Sequence, residues 1–261
     1  PTVSEAVPAR ESVVAALRVL ALLSAESGLR IAGPDFDPHY QHSGGYGYTW
    51  FRDDAEISGF LLGADETFGL GLDDWHRRSA RAYLDAQLSD GTWPHRVWPR
   101  NGALAPGWAN ARMEAGDDVE YQADQTASVV AFLARLLDRV PEDDPLAGEV
   151  AAAIDDGLDG MIASLADDAR PVACQNAWED AGGRFTHTAA RFLDAFSAVA
   201  ALGPARFERA VEATDRAALL YDALDDLWVP DRGAFAVREY DDGTLDERLD
   251  SATFALADAH R

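Results

Sequence analysis

Apolar residues recur at three- and four-residue steps along most of the chain. The pattern is plainest from Pro204 to Trp228, where Phe207, Ala210, Val211, Thr214, Ala218, Tyr221 and Leu224 share one face and charged residues the other. Comparable stripes run from Ala9 to Ser27, Asp53 to Phe68, Asp73 to Leu88, Val119 to Val140, Pro145 to Leu165, Thr186 to Ala201 and Leu249 to His260, so eight helices are expected. Pro145 and Pro204 suit a first helical turn, where a missing N–H is harmless, and Thr186 or Asp73 can cap exposed backbone N–H groups. Strand signals are confined to short pieces such as Ala234 to Tyr240 ahead of the turn Asp241-Asp242-Gly243-Thr244. The expected fold class is all-α.

The connections alternate in length. Long ones cover Ala32 to Thr49, Ser89 to Asp118, Asp167 to Phe185 and Pro230 to Asp246, each with glycines and aromatics; short ones fall near Gly69-Leu70-Gly71, Pro141 to Asp144 and Leu202-Gly203. Helix, short turn, helix, long loop is the rhythm of an α/α toroid, whose long loops gather at one end as a site. No linker or composition break divides the chain, and no sequence repeat shows beyond this rhythm.

Composition narrows the function. A net charge of -24 argues against nucleic acid and against anionic membrane surfaces, and no run of about 20 apolar residues spans a membrane. No signal peptide is legible, which tilts the expectation toward the cytoplasm. Cys174, the single cysteine, reads as a small buried hydrophobe. There is no lysine, all 22 basic residues are arginine, and aspartate outnumbers glutamate by about two to one. That balance resembles proteins of extreme halophiles such as halophilic archaea; a GC-rich genome is the competing explanation for the missing lysine.

Two clusters could carry chemistry. The first, Gly44-Gly45-Tyr46-Gly47-Tyr48-Thr49-Trp50-Phe51-Arg52-Asp53-Asp54, leads into a helix and places a stacking ring, a rigid donor fork and a carboxylate within four residues, which is what a sugar ring needs. The plain reading is that Asp53 favours the helix N terminus and Trp50 fills the core. The second, Cys174-Gln175-Asn176-Ala177-Trp178-Glu179-Asp180, sets Glu179 beside Trp178, an apolar wall that would raise a carboxyl pKa and suit a proton donor. Asp180 could be its hydrogen-bonding neighbour. Any single carboxylate among 46 acidic residues is by default a solvated surface group.

Tyr46-x-Tyr48-Thr49-Trp50-x-Arg52-Asp53 resembles the signature of glycoside hydrolase family 15, the glucoamylases and their relatives. Glu120-Tyr121-Gln122-Ala123-Asp124-Gln125-Thr126 resembles that family's Gln-x-Asp helix start, Trp178-Glu179 its acid motif, and Leu249-Asp250-Ser251-Ala252 a later helix entry. The resemblance implies an (α/α)6 toroid of helical hairpins, of which residues 1–261 would be a partial catalytic domain of about the first eight helices. It implies inverting, exo-acting release of glucose from nonreducing ends of α-linked glucans, with trehalose- or dextran-cleaving relatives as the alternative and no metal or cofactor. Trp50, Arg52 and Asp53 would hold the terminal sugar with Tyr46 lining the same pocket, Asp124, Trp178 and Asp180 would be further substrate-binding residues, and Glu179 would be the general acid. Asp180 stands where the family commonly has glutamate, and Ala123 where leucine is common.

Inversion needs a second carboxylate about 6.5 to 9.5 Å away to activate water; the family places it near the C-terminal end of the barrel, and none is assigned in this chain. On that expectation the 261 residues alone are inactive, and a noncatalytic sugar-binding protein is the reading from another class. Of the histidines, His39, His42, His76, His95 and His260 show no metal-ligand spacing, while His187 either borders the pocket or lies on the surface. Trp93, Trp98 and Trp108 either line outer sugar subsites or pin their loop. The halophile reading predicts a thermal unfolding midpoint that rises steadily as KCl approaches molar concentration, because salt screens self-repulsion. A cooperative transition in dilute buffer that molar salt leaves in place contradicts it.

Overall fold

The structure, a computed structural model, describes residues 10–34, 46–105 and 121–259. Gly44, Gly45, His39, His42, Trp108, Glu120 and His260 lie outside them. The described residues contain eight α-helices: α1 (Arg10–Leu23), α2 (Phe51–Phe68), α3 (Asp73–Ala86), α4 (Asp124–Leu137), α5 (Pro145–Ala163), α6 (Thr186–Ala201), α7 (Ala210–Ala223) and α8 (Ala255–Ala259). Each falls within or close to one of the apolar stripes.

The helix ends differ from expectation for physical reasons. Pro145 does occupy a first turn, and Asp144 caps it by accepting from the Leu146 N–H at 2.9 Å. Pro204 does not, because Arg206 and Phe207 both donate their N–H to the Gly203 carbonyl in a turn, and α7 begins only at Ala210. Neither Thr186 nor Asp73 caps a helix. The Thr186 hydroxyl donates instead to the Ala236 carbonyl, and Asp73 accepts from Arg77 one turn on at 2.7 Å. The last stripe opens as a 3-10 turn, Ser251–Phe254, before α8, with Asp250 as its cap.

Inner helices carry the fold. α4 lies between α2 and α6, and α6 also packs on α8; every residue of α4 except Arg135 is buried. Short connections at 69–72, 138–144 and 202–209 lead from α2, α4 and α6 to α3, α5 and α7. Long connections re-enter the next inner helix, so α2, α4, α6 and α8 run parallel with their N termini at one end. Phe51, Tyr83 and Phe132 pack edge to face between these layers, with centroids 5.8 and 5.5 Å apart.

The expected strand region, Ala234 to Tyr240, forms only brief ladders, and further strands appear where none was anticipated. β1 (Thr49–Trp50) pairs with β2 (Arg96–Val97), and β5 (Trp228–Val229) with β6 (Ala234–Phe235). β3 (Cys174–Gln175), β4 (Gly182–Phe185), β7 (Arg238–Glu239) and β8 (Leu245–Asp246) make one antiparallel sheet in that order. These pieces of two to four residues tie the long loops to one another at the helix N termini. A buried network fixes the entry to α2: Arg30 donates to Asp54 at 2.7 Å and Ser58 at 2.9 Å, Tyr83 donates to Asp54 at 2.8 Å, and Thr49 donates to the Arg30 carbonyl at 2.7 Å. No helix among the described residues is long and apolar enough to cross a membrane.

Candidate active site

The N termini of α2 and α4 meet at Arg52, the second residue of α2, and that of α6 joins them through Asp124. Arg52 Nη1 donates to Gln122 at 2.7 Å and to Asp124, the first residue of α4, at 3.1 Å; its Nη2 donates to Asp53 and to the Ala177 carbonyl, both at 3.3 Å. Gln125 accepts the Arg52 backbone N–H at 2.6 Å and donates to Gln122 at 2.9 Å. Burial works to raise Asp124, and Arg52 foremost outweighs it and holds the carboxyl below its ordinary value. From α6, His187 places Nδ1 3.4 Å from the same Asp124 oxygen. His187 is therefore not a surface residue: its side chain is 11% exposed, and burial pushes its pKa down to about 4 despite Asp124, leaving it neutral at neutral pH. The countercharge of Asp124 is Arg52.

The loop carrying Glu179 is a tight turn between β3 and β4. The Asn176 side chain accepts from the Asp180 and Ala181 N–H groups at 3.0 and 3.2 Å and donates to the Asp180 carboxylate at 2.7 Å. Asp180 is thus a turn-forming neighbour. Glu179 sits at φ 63°, in the left-handed region that a residue with a Cβ enters at a cost of about 1–2 kcal/mol. That strain swings the carboxylate inward, to 18% exposure, where Oε1 accepts from Trp50 Nε1 at 2.6 Å and contacts His95 Nε2 at 2.7 Å.

The apolar wall expected from Trp178 is absent. Trp178 is 57% exposed, and its indole N–H points away to both Asp250 oxygens at 3.1 Å. The aromatic beside Glu179 is Trp50, which presents its N–H. Burial alone would raise the Glu179 carboxyl, but the hydrogen bond and charge of His95, the Trp50 N–H and the charge of Arg52 outweigh it, and the carboxyl lies below its ordinary value. Trp50 is itself held: the buried Arg96 guanidinium lies 5.1 Å from its ring and 4.5 Å from that of Tyr48.

The remaining candidates fall on the rim or in the core. Tyr46 is 52% exposed with its ring 6.2 Å from Trp50, and the Asp53 side chain is 52% exposed, open to a ligand. Trp178, Asp180 and Asp250 line a small pocket of about 130 Å³ next to the turn. A larger groove of about 480 Å³ between α2, α4 and α6 is lined by small side chains and by Glu56, Arg135, Arg191 and Asp194, and Glu179 does not reach it. Trp93 belongs to the core and donates to the Tyr83 carbonyl at 2.8 Å, and Trp98 packs edge to face against Tyr48 with centroids 4.5 Å apart, so both pin their loop. Cys174 is buried, with Sγ 3.8 Å from the Thr188 hydroxyl. Among the described residues no group of three or more His, Cys, Asp or Glu is placed to hold a metal ion.

Sequence reasoning set His95 aside and did not single out Arg96, Gln122, Gln125 or Gln175. Pairing of β1 with β2 in the register Trp50↔Arg96 is what delivers His95 to Glu179. Gln122 lay inside the Gln-x-Asp piece, which was the available signal for it; here it donates to Gln175 at 2.8 Å.

No family model matches the sequence, and no characterised protein matches it in sequence. Its fold is similar to solved glycosidases of the six-hairpin (α/α) toroid type. A family 63 mannosylglycerate hydrolase from Thermus thermophilus, in complex with glucose, superimposes with a TM-score of 0.66 at 16% identity, over 95% of this chain and 71% of that one. A glucoamylase from Saccharomycopsis fibuligera gives 0.61 at 15%, over 81% and 46%. A wild-type glycosidase gives 0.60 at 17%, over 87% and 61%, so this chain spans about three fifths of its length.

His187 yields a test of the site's electrostatics. The unfolded side chain takes up a proton near pH 6.5 and the folded one only near 4, so its contribution to stability is complete above 6.5 and is lost as pH falls toward 4. His187→Asn should flatten the stability-against-pH curve in that window by up to about 3 kcal/mol. Equal slopes for the two proteins in urea titrations would show that His187 is not buried neutral.

Proposed function

We propose that this chain is part of the catalytic domain of a glycoside hydrolase, contributing the sugar-gripping and proton-donating half of its site. The observation that carries the reading is the convergence of Trp50, Arg52, Asp53 and Glu179 at the N termini of the inner helices, with Glu179 swung into the site by a strained turn. The likeness of the fold to glycosidases supports it, as do the sequence motifs on those same residues. The substrate is an α-linked glucan, attacked from its nonreducing end with inversion. Trehalose or an α-1,6-linked glucan fits the same grip.

In this reading the half-exposed Asp53 accepts from hydroxyls of the terminal sugar, Tyr46 lines the rim, and Trp50 offers a ring edge beside the reacting bond. Both Nη atoms of Arg52 are engaged by protein acceptors, so its part is to aim Asp53 and the Ala177 carbonyl. Glu179 passes its proton to the glycosidic oxygen as the bond to the anomeric carbon breaks; water, activated by a carboxylate we do not assign to this chain, completes the inversion. A bound sugar displaces water from Glu179, strengthens the burial that raises its pKa, and so helps it keep the proton.

One observation favours a second reading, a noncatalytic sugar-binding protein: in the free site Glu179 is held toward its ionised form. Hydrolysis separates the two. In the full-length protein, maltose, trehalose and isomaltose assays should reveal the preferred linkage, and Glu179→Gln should lower kcat roughly a hundred- to ten-thousand-fold. Because the acid must be protonated, wild-type kcat/KM should fall as pH rises through the Glu179 pKa. Turnover that survives Glu179→Gln rejects the acid role.

A further inference from the structure

We infer that His95 is a positioning residue for Glu179: with Trp50 it occupies Oε1 and thereby reserves Oε2 for the transferable proton. The inference rests on Glu179 being the proton donor. Trp50 Nε1 and His95 Nε2 approach the same carboxylate oxygen, at 2.6 and 2.7 Å. Indole nitrogen can only donate, so Oε1 is an acceptor in every protonation state. With Nε2 protonated as well, Oε1 takes two N–H bonds and a proton added to the carboxyl goes to Oε2. A general acid needs its proton on the oxygen that faces the leaving group, and two rigid donors fix that choice more firmly than one.

The surroundings make this pair a built feature. The His95 side chain is 1% exposed and reaches a residue 84 positions away. Its place follows from the β1–β2 ladder, which also sets Trp50, so a single two-residue pairing delivers both donors to one oxygen. Among the described residues, the charged and titratable groups facing the pair include Arg52 and Asp53 at the start of α2, Arg96 on β2, Asp124 at the start of α4 and His187 on α6 behind it. Arg52 and His95 both favour the Glu179 carboxylate. Asp124, whose carboxylate also feels His95, is paired with Arg52 at 3.1 Å.

The test reads the carboxyl without turnover. In protein labelled at the glutamate side-chain carboxyl with carbon-13, the Glu179 resonance is the one missing from Glu179→Gln, and its titration midpoint is followed in wild type, His95→Gln and His95→Phe. His95→Phe keeps a ring but no donor, and should move the midpoint up by about one pH unit or more; His95→Gln, which keeps a donor, should stay within about half that of wild type. A midpoint unmoved in His95→Phe overturns the inference, since a residue that only fills space lowers the melting temperature without touching the titration. Should His95→Phe fail to fold, nitrogen-15 spectra of wild-type histidine decide the matter: a proton on Nε2 supports the inference, and a bare Nε2 accepting from Oε1–H overturns it. Failure of the acid role is distinguishable, because turnover would then survive Glu179→Gln while the effect of His95 on the carboxyl remained.

Discussion

The guanidinium of Arg52 and the carboxylate of Asp124 form an ion pair with almost no access to water, their side chains 9% and 1% exposed. Two charges so placed lose most of their hydration, and their mutual attraction repays that only if the remaining donors and acceptors are also satisfied. The Arg52 side of the pair meets that condition, whereas Asp124 Oδ1 is buried without a hydrogen-bond partner among the described residues. Gln122 and the Ala177 carbonyl take further Arg52 protons, Asp53 takes another, and Gln125 accepts its backbone N–H. These partners come from separate turns of chain, so satisfying one cation draws the starts of α2 and α4 and the Glu179 turn together.

The helical architecture makes such a meeting possible. Because short turns follow the inner helices and long loops precede them, α2, α4 and α6 point their positive ends at the same place, and anions there are favoured by the helix dipoles as well as by Arg52. The loops are not slack. Brief ladders hold them in register: β1 with β2 sets Trp50 and His95, and β3 with β4 closes the turn that forces Glu179 to φ 63°. The conformational strain at Glu179 is small against the stability of a packed domain, and the functional reading explains why it persists.

What was legible in the sequence was what depends on local pattern. The apolar stripes located the helices, and the alternation of long and short connections gave the toroid, because both follow from which faces must be buried. Trp50, Arg52, Asp53, Asp124 and Glu179 stood out in the sequence through motifs resembling a known family rather than through local composition, and the structure brings them together as a candidate site. Less visible was anything set by long-range pairing. His95 and Arg96 become site residues only through two β-bridges to a segment more than 40 positions earlier. Adjacency misled at Trp178, since in a turn with one residue in the left-handed region consecutive side chains point to different sides, and Glu179 found its aromatic partner 129 residues away. Pro204 misled for a related reason: proline suits a loop turn as well as a first helical turn.

Sugar binding tests the central claim most directly. Titration calorimetry of this chain with maltose, compared with Asp53→Asn and Trp50→Phe, examines whether the N-terminal convergence is a grip for a neutral sugar. The account predicts exothermic saturable binding by the wild type, with affinity at least tenfold weaker in each variant, a loss of about 1.4 kcal/mol. Absence of binding by the wild type, or affinity that both variants leave unchanged, would contradict it.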